Sequence, residues 1–259
     1  MRFDNIFDLK GKVAIVTGAS RGLGRVIALG LADFGADVAI TGRTMVDLEK
    51  VALEISDRGR EALPVAGDVT NLRDVEKLAE QVLSRFGKVD ILVNNAGAII
   101  RKGALDMTLD EWQRIIDVNL KGTFICCKTI GSMMVRQNSG SIINISSVRG
   151  EFASPGGYSA YAPSKAGVNA LTKTLAYEWA RYNVRVNAIA PTFLETELTR
   201  DILKDPEFRQ FLSSRIPLGR IGKPEDIVGS VIFLASDASG FVTGSVIYVD
   251  GGVSMGSTV

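Results

Sequence analysis

Short runs of apolar, β-branched residues alternate along this chain with longer stretches whose apolar positions recur every three to four residues. The runs at 12–17 (Lys-Val-Ala-Ile-Val-Thr), 37–41, 62–66, 90–93, 141–147, 184–189 and 246–249 read as strands. Most are too continuously apolar for a sheet with one wet face. Helical periodicity fills the intervals: a helix ending near Phe34, just before Gly35, then 45–58, 72–86, 109–135 and 161–182, and a helix after Pro224. Strands alternating with helices over the whole length predict an α/β fold, a doubly wound parallel sheet of seven strands with helices on both faces. Nothing reads as a domain linker, so residues 1–259 are expected to form a single domain. One segment breaks the rhythm: 192–223 carries charged helical material at 195–204 and 207–215 but no strand. It leaves from a strand's carboxyl end, which suits a lid or substrate loop, and equally a helical hairpin that covers the core.

Composition narrows the function. The 30 basic and 29 acidic residues leave a formal net charge of +1, so no imbalance argues for nucleic acid or a membrane surface. No apolar run approaches the ~18 residues of a membrane span, and residues 1–10 do not resemble a signal peptide. The only cysteines, Cys126 and Cys127, are neighbours, and they read as reduced, half-buried core residues of a cytoplasmic protein rather than a bridge or a metal motif. The chain has no histidine. Ser-His-Asp hydrolysis, histidine–zinc sites and histidine proton shuttles are excluded, and proton chemistry falls to Tyr, Lys, Asp, Glu and Ser.

Between the first strand and its helix lies Thr17-Gly18-Ala19-Ser20-Arg21-Gly22-Leu23-Gly24. Glycines in that position permit a tight turn and let the backbone approach a pyrophosphate, whose charge meets the helix N-terminus. This is the context of a Rossmann-like dinucleotide site. At the end of the second strand an NAD site usually holds an acid for the ribose hydroxyls. Here Thr41-Gly42-Arg43 supplies none, and Arg43 with Arg21 suits a 2′-phosphate, so NADP(H) is expected over NAD(H).

Tyr161 and Lys165 stand four residues apart, which places them on one face of a helix, and Pro163 fits its first turn. A cation beside a phenol favours the phenolate and makes tyrosine a usable acid or base near neutrality. Ser147 ends the fifth strand, on the sheet edge where ligands bind in parallel folds. Tyr158 has only Ala162 four positions on, so it lacks a cation partner.

Thr17-Gly18-x-x-x-Gly22-x-Gly24, Asn94-Asn95-Ala96-Gly97, Asn119, Ser147, Tyr161-x-x-x-Lys165, Pro191 and the terminal Val249-Asp250-Gly251-Gly252 together resemble the short-chain dehydrogenase/reductase family over nearly the whole chain. The resemblance implies Tyr161 as catalytic acid/base, Lys165 lowering its pKa and binding the nicotinamide ribose, Ser147 holding the substrate oxygen and Asn119 anchoring a water relay. It implies cofactor contacts from Gly18, Ser20, Arg21, Gly22, Leu23 and Gly24, with Asp68 and Val69 at the adenine. Asn95, Ala96 and Gly97 would line the channel, and Pro191, Leu194 and Thr196 would follow strand six. Family members are usually homotetramers.

Within the family, Asn95 through Ala104, Glu178-Trp179-x-Arg181-Tyr182 and Arg215-Ile216-Pro217-Leu218-Gly219-Arg220 resemble sugar-acid oxidoreductases of the gluconate 5-dehydrogenase and 2-deoxygluconate 3-dehydrogenase type. A substrate carboxylate would want a cation near the nicotinamide, from Arg149 or Arg101. A 3-oxoacyl-carrier-protein reductase or broad carbonyl reductase is the alternative, and a non-catalytic nucleotide-binding regulator the second.

Overall fold

Val13–Thr17 (β1) is buried along its whole length because alternate side chains enter two different cores. Ala14 and Val16 pack with Ile27 and Leu31 of α1 (Gly22–Asp33) and with Val231 and Leu234 of α9 (Val228–Ala235). Val13 and Ile15 enter the opposite core, with Leu78 and Val82 of α3 (Leu72–Phe86), Ile130 and Met134 of α5 (Gly122–Gln137) and Leu175 of α6 (Tyr161–Trp179). Helices on both faces are what a continuously apolar strand requires. The computed structural model describes residues 5–153 and 156–256.

The remaining strands are β2 (Asp37–Gly42), β3 (Ala62–Ala66), β4 (Ile91–Asn94), β5 (Gly140–Ile145), β6 (Val184–Pro191) and β7 (Val246–Val249). All pair in parallel, in the order β3-β2-β1-β4-β5-β6-β7. The chain winds outward from β1 to β3, then crosses back to β4 on the other side of β1. The loops leaving β1 and β4 therefore diverge, and a crevice opens at their carboxyl ends. The expected Rossmann-like fold is the observed one.

Three local differences from the pattern reading matter for the site. The continuous periodicity at 109–135 resolves into α4 (Leu109–Ile116) and α5, joined by a π-helical turn, Asp117–Lys121, that carries Asn119 inward to 1% exposure. The fifth strand stops at Ile145: the Ser146 amide bonds the Ile189 carbonyl at 2.7 Å, and Ser147 then becomes the cap of a three-ten turn over Val148–Gly150. Cys126 and Cys127 are fully rather than half buried, because α5 turns them into the core. Burial pushes both thiols up, Cys127 to about 12.

The 192–223 segment contains α7 (Glu197–Arg200) and α8 (Pro206–Ser214), with α2 (Met45–Ser56) facing it across a groove. Leu203, Leu212, Ile216 and Ile221 form its own small apolar cluster. A bridge between Leu194 and Gly222 ties its two ends together. No helix among the described residues is long and apolar enough to cross a membrane.

Candidate active site

The glycine turn after β1 is built by close approach. Gly18 has φ +64°, and a Cβ there would stand 2.8 Å from the Ala96 Cα. A Cβ on Gly24 would run into the Gly18 carbonyl and the Asn95 amide nitrogen. Gly22, at φ +55°, faces open space. Beyond it α1 begins with no capping side chain and no acid in its first turn, whereas Asn71 caps α3 and Asp205 caps α8. An uncapped helix end behind an open glycine turn fits a diphosphate. The dinucleotide expected from the sequence is therefore compatible with the residues present. Gly24→Ala is expected to weaken dinucleotide binding at least tenfold and to cost ~1–3 kcal/mol of stability through overpacking; fluorescence titration and thermal unfolding check both.

A cleft of about 1160 Å³ runs from this turn along the carboxyl edge of the sheet. Gly18, Ser20, Arg21, Gly22, Leu23, Gly24, Arg43, Asp68, Val69, Asn95, Ala96 and Gly97 line it, as do Ser147, Tyr161, Lys165, Pro191, Leu194 and Thr196. Arg43 and Arg21 are exposed at one end. The nearest carboxylate on α2, Asp47, is engaged by Lys50 at 3.0 Å. Asp68 accepts from the Thr70 amide and hydroxyl at 2.9 and 2.8 Å, so its carboxylate also shapes its own turn. Asn95 works as a strut: its side-chain amide donates to the Thr17 and Gly18 carbonyls at 2.9 and 3.1 Å, binding the glycine turn to the end of β4.

At the other end, the two serines after β5 diverge. Ser146 is buried and donates to Asn169 Oδ1 at 2.6 Å, which commits it to α6. Ser147 faces the cleft, and its hydroxyl acts as a hydrogen-bonding influence on the Tyr161 phenol. Lys165 projects from the same face of α6 as Tyr161, with Nζ 5.8 Å from the tyrosine ring centroid. Its ammonium donates to the Ile145 carbonyl at 2.7 Å, and burial holds its pKa down at about 8.

Burial raises the Tyr161 pKa above the ordinary tyrosine value. Ser147, Arg149 and Arg101 pull it down and Tyr158 pushes it up, while Lys165 is turned toward Ile145. Asn119 does not line the cleft: its side chain donates to the Ala98 carbonyl and Ser164 hydroxyl at 2.9 Å each and accepts from the Ala98 amide at 2.8 Å. It clamps the loop after β4 to α6, and so positions Gly97 beside Lys165. Tyr158, without a helical cation partner in sequence, stands 6.2 Å from Tyr161 between ring centroids and lines the same wall. No local pattern marks it, because its neighbours come from other loops.

A family model described as "Enoyl-(Acyl carrier protein) reductase" matches residues 18–254. The chain is 43% identical over 249 residues to a 3-oxoacyl-[acyl-carrier-protein] reductase of Synechocystis sp., covering 95% of this chain and 98% of that one. It is 39% identical over 252 residues to a 2-dehydro-3-deoxy-D-gluconate 5-dehydrogenase of Dickeya dadantii, covering 96% and 97%. A gluconate 5-dehydrogenase from Burkholderia cenocepacia J2315, crystallised with NADP and tartrate, superposes with a TM-score of 0.93 at 38% identity, over 97% of this chain and 98% of that one.

Proposed function

The chain belongs to the short-chain dehydrogenase/reductase family and is an NAD(P)-dependent oxidoreductase, and from that premise we propose that its substrate is a sugar acid of the gluconate/ketogluconate type, interconverted between secondary alcohol and ketone with NADP(H) preferred. The observation that carries the reaction is the convergence of Ser147, Tyr161 and Lys165 on one wall of the cleft that begins at the glycine turn. Bound there, the nicotinamide supplies or accepts the hydride. In this reading Gly18 through Gly24 hold the diphosphate, Arg21 and Arg43 the 2′-phosphate, and Asp68 and Val69 the adenine. Asn95, Ala96, Gly97, Pro191, Leu194 and Thr196 line the remainder of the channel.

Ser147 orients the substrate oxygen, and Tyr161 exchanges a proton with it. Burial keeps the phenol protonated through neutrality, which suits donation to a carbonyl. Lys165, charged below about pH 8, stabilises the phenolate left behind. The sign of the pH dependence follows: kcat/KM for reduction is flat through neutrality and declines above pH about 8 as Lys165 loses its charge. Oxidation needs the phenolate and gains with rising pH until the same loss intervenes. Lys165→Met is expected to lower the whole reduction profile and remove the step near pH 8; initial rates across a pH series check this.

The sugar-acid reading is supported by the two gluconate-type relatives. The acyl-carrier-protein reductase at 43% identity supports a second reading, a 3-oxoacyl thioester substrate. Initial rates with NADPH and NADH against 5-ketogluconate, an acetoacetyl thioester and simple ketones separate them. Brisk thioester reduction without keto-acid turnover would overturn the sugar-acid assignment. The 192–223 segment is read as the substrate loop of a single domain, and exposed Leu109, Trp112, Phe124 and Tyr177 on α4–α6 suit a homotetramer.

A further inference from the structure

The part of α6 that carries Tyr161 and Lys165 is held to the sheet by hydrogen bonds more than by apolar packing. Leu175 and Ala176, near its C-terminus, join the apolar core, and half-buried Leu171 packs against it. Among the buried residues from Tyr161 to Thr172, namely Ser164, Lys165, Val168, Asn169 and Thr172, only Val168 is apolar. Lys165, Asn169 and Thr172 recur at intervals of four and three, so they form one stripe along the helix. Each of them meets the end of β5. The Lys165 ammonium donates to the Ile145 carbonyl at 2.7 Å, Asn169 Oδ1 accepts from the Ser146 hydroxyl at 2.6 Å, and the Thr172 hydroxyl accepts from Asn144 Nδ2 at 2.9 Å. Asn144 Oδ1 in turn accepts from Asn94 Nδ2 of β4 at 2.8 Å. Gly150 closes the contact: a Cβ there would stand 2.9 Å from the Lys165 carbonyl and from Asn169 Nδ2, so the three-ten turn after Ser147 lies directly on the helix.

This polar seam is costly to bury. Asn94, Asn144, Ser146, Asn169 and Thr172 are all at most 4% exposed. Among the described residues three buried side-chain nitrogen or oxygen atoms have no hydrogen-bond partner, and two of them, Asn94 Oδ1 and Asn169 Nδ2, belong to the seam. A buried amide with part of its capacity unused destabilises a fold relative to an apolar side chain of similar size. What the seam supplies in exchange is direction. Apolar contact is non-directional and tolerates sliding, whereas a row of hydrogen bonds is satisfied in one register.

We propose that Asn169, acting through Ser146, is a positioning residue: with Thr172 and Asn144 it fixes the rotation and height of α6 on β5, and so sets Tyr161 and Lys165 against Ser147. The role rests on the oxidoreductase reading of the cleft and adds to it the determinant of the cleft's catalytic geometry. Asn144, Asn169 and Thr172 do not line the cleft themselves. Ser146 is the chain neighbour of Ser147, and Asn169 stands one helical turn beyond Lys165, so one hydrogen bond holds both sides of the catalytic set together. The Ser146 hydroxyl has a second acceptor in the Lys165 carbonyl at 3.3 Å, which keeps it partnered when Asn169 is replaced.

The test compares wild type, Asn169→Leu, Ser146→Ala and the double variant by kcat, by KM for NADPH and by thermal unfolding. The carbonyl used is whichever of 5-ketogluconate, an acetoacetyl thioester and simple ketones the wild type reduces fastest. Asn169→Leu is expected to lower kcat at least tenfold and to change KM for NADPH less than about twofold. Its Tm should be unchanged or raised, because the substitution removes an unpartnered buried nitrogen. Adding Ser146→Ala should then cost less than about twofold more in kcat, since the two side chains act as a unit. A smaller loss of kcat in Asn169→Leu would overturn the proposal, and so would a joint loss of kcat, NADPH affinity and Tm, the mark of a merely structural role. Fully multiplicative losses in the double variant would overturn the pairing with Ser146. A crystal structure of Asn169→Leu reads the positioning without turnover: the Lys165 ammonium, 2.7 Å from the Ile145 carbonyl in the parent, is expected to move out of hydrogen-bonding range. A displaced lysine, in a protein whose wild type reduces no carbonyl, would sustain the seam and sink the proposed reaction. An undisturbed lysine beside brisk wild-type turnover would do the reverse.

Discussion

Tyr161→Phe is expected to lower kcat/KM for carbonyl reduction by about 10²–10⁴, the usual worth of a positioned general acid, while NADPH affinity changes less than about twofold. The reason for so clean a separation is geometric. The phenylalanine ring keeps the tilted contact with Tyr158, 6.2 Å between centroids, and the place on the first turn of α6, so the wall of the cleft survives. Only the hydroxyl goes, and with it the proton that Ser147 helps to aim. No histidine exists anywhere in the chain to take over. Lys165 is engaged with the Ile145 carbonyl, and Ser147 caps its own three-ten turn by accepting from the Arg149 amide at 3.2 Å. Retention of a tenth or more of wild-type activity would mean that the proton arrives by another route, and Ser147→Ala on the Tyr161→Phe background would then be the next measurement.

The second large effect concerns the cofactor's far end. Arg43→Ala is expected to raise KM for NADPH by roughly 10- to 100-fold, the loss of one or two charge-assisted hydrogen bonds at ~1.5–3 kcal/mol, and to leave KM for NADH nearly unchanged. Arg43 follows Gly42, whose position against Ser20 brings the end of β2 up to the glycine turn: a Cβ on Gly42 would lie 3.4 Å from the serine oxygen. The side chain is exposed, and the neighbouring Asp47 is paired with Lys50, which offsets part of its repulsion of a 2′-phosphate. Arg43→Asp should go further and reverse the preference, because a carboxylate there accepts from the ribose hydroxyls and repels the phosphate. Parallel initial rates with the two cofactors decide it. Equal changes in both KM values would assign Arg43 to general cofactor attraction rather than to discrimination.

The fold and the outline of the site were legible in the sequence because both are written in local patterns. Val13 through Thr17 reads as a strand covered on both sides, and it is. Gly18, Gly22 and Gly24 announce a tight turn before a helix, and Tyr161 and Lys165 share a helix face whatever surrounds them. Such inferences need only a few consecutive residues and the helix or strand period. The seven strands and their alternation with helices then constrain the sheet to a parallel, doubly wound arrangement.

What the chain decided only on folding are the directions and partners of side chains far apart in sequence. The π-helical turn at Asp117–Lys121 leaves the apolar period of 109–135 intact, so no pattern betrays it, yet it turns Asn119 away from the cleft and into a clamp between Ala98 and Ser164. Ser146 and Ser147 are chemically identical; sheet register ends at Ile145, the Ser146 hydroxyl is committed to Asn169 of α6, and the Ser147 hydroxyl is left beside the Tyr161 phenol. Tyr158 has no partner within a helical turn, but the bridge to Lys102 places its ring between arginines from two other loops. Lys165 carries its charge toward the Ile145 carbonyl, and burial rather than spacing sets its pKa. Sequence determines which residues a segment offers to each face, since that depends on bonded geometry. Which of those faces meet depends on strand order and close packing, and these are settled by the whole chain at once.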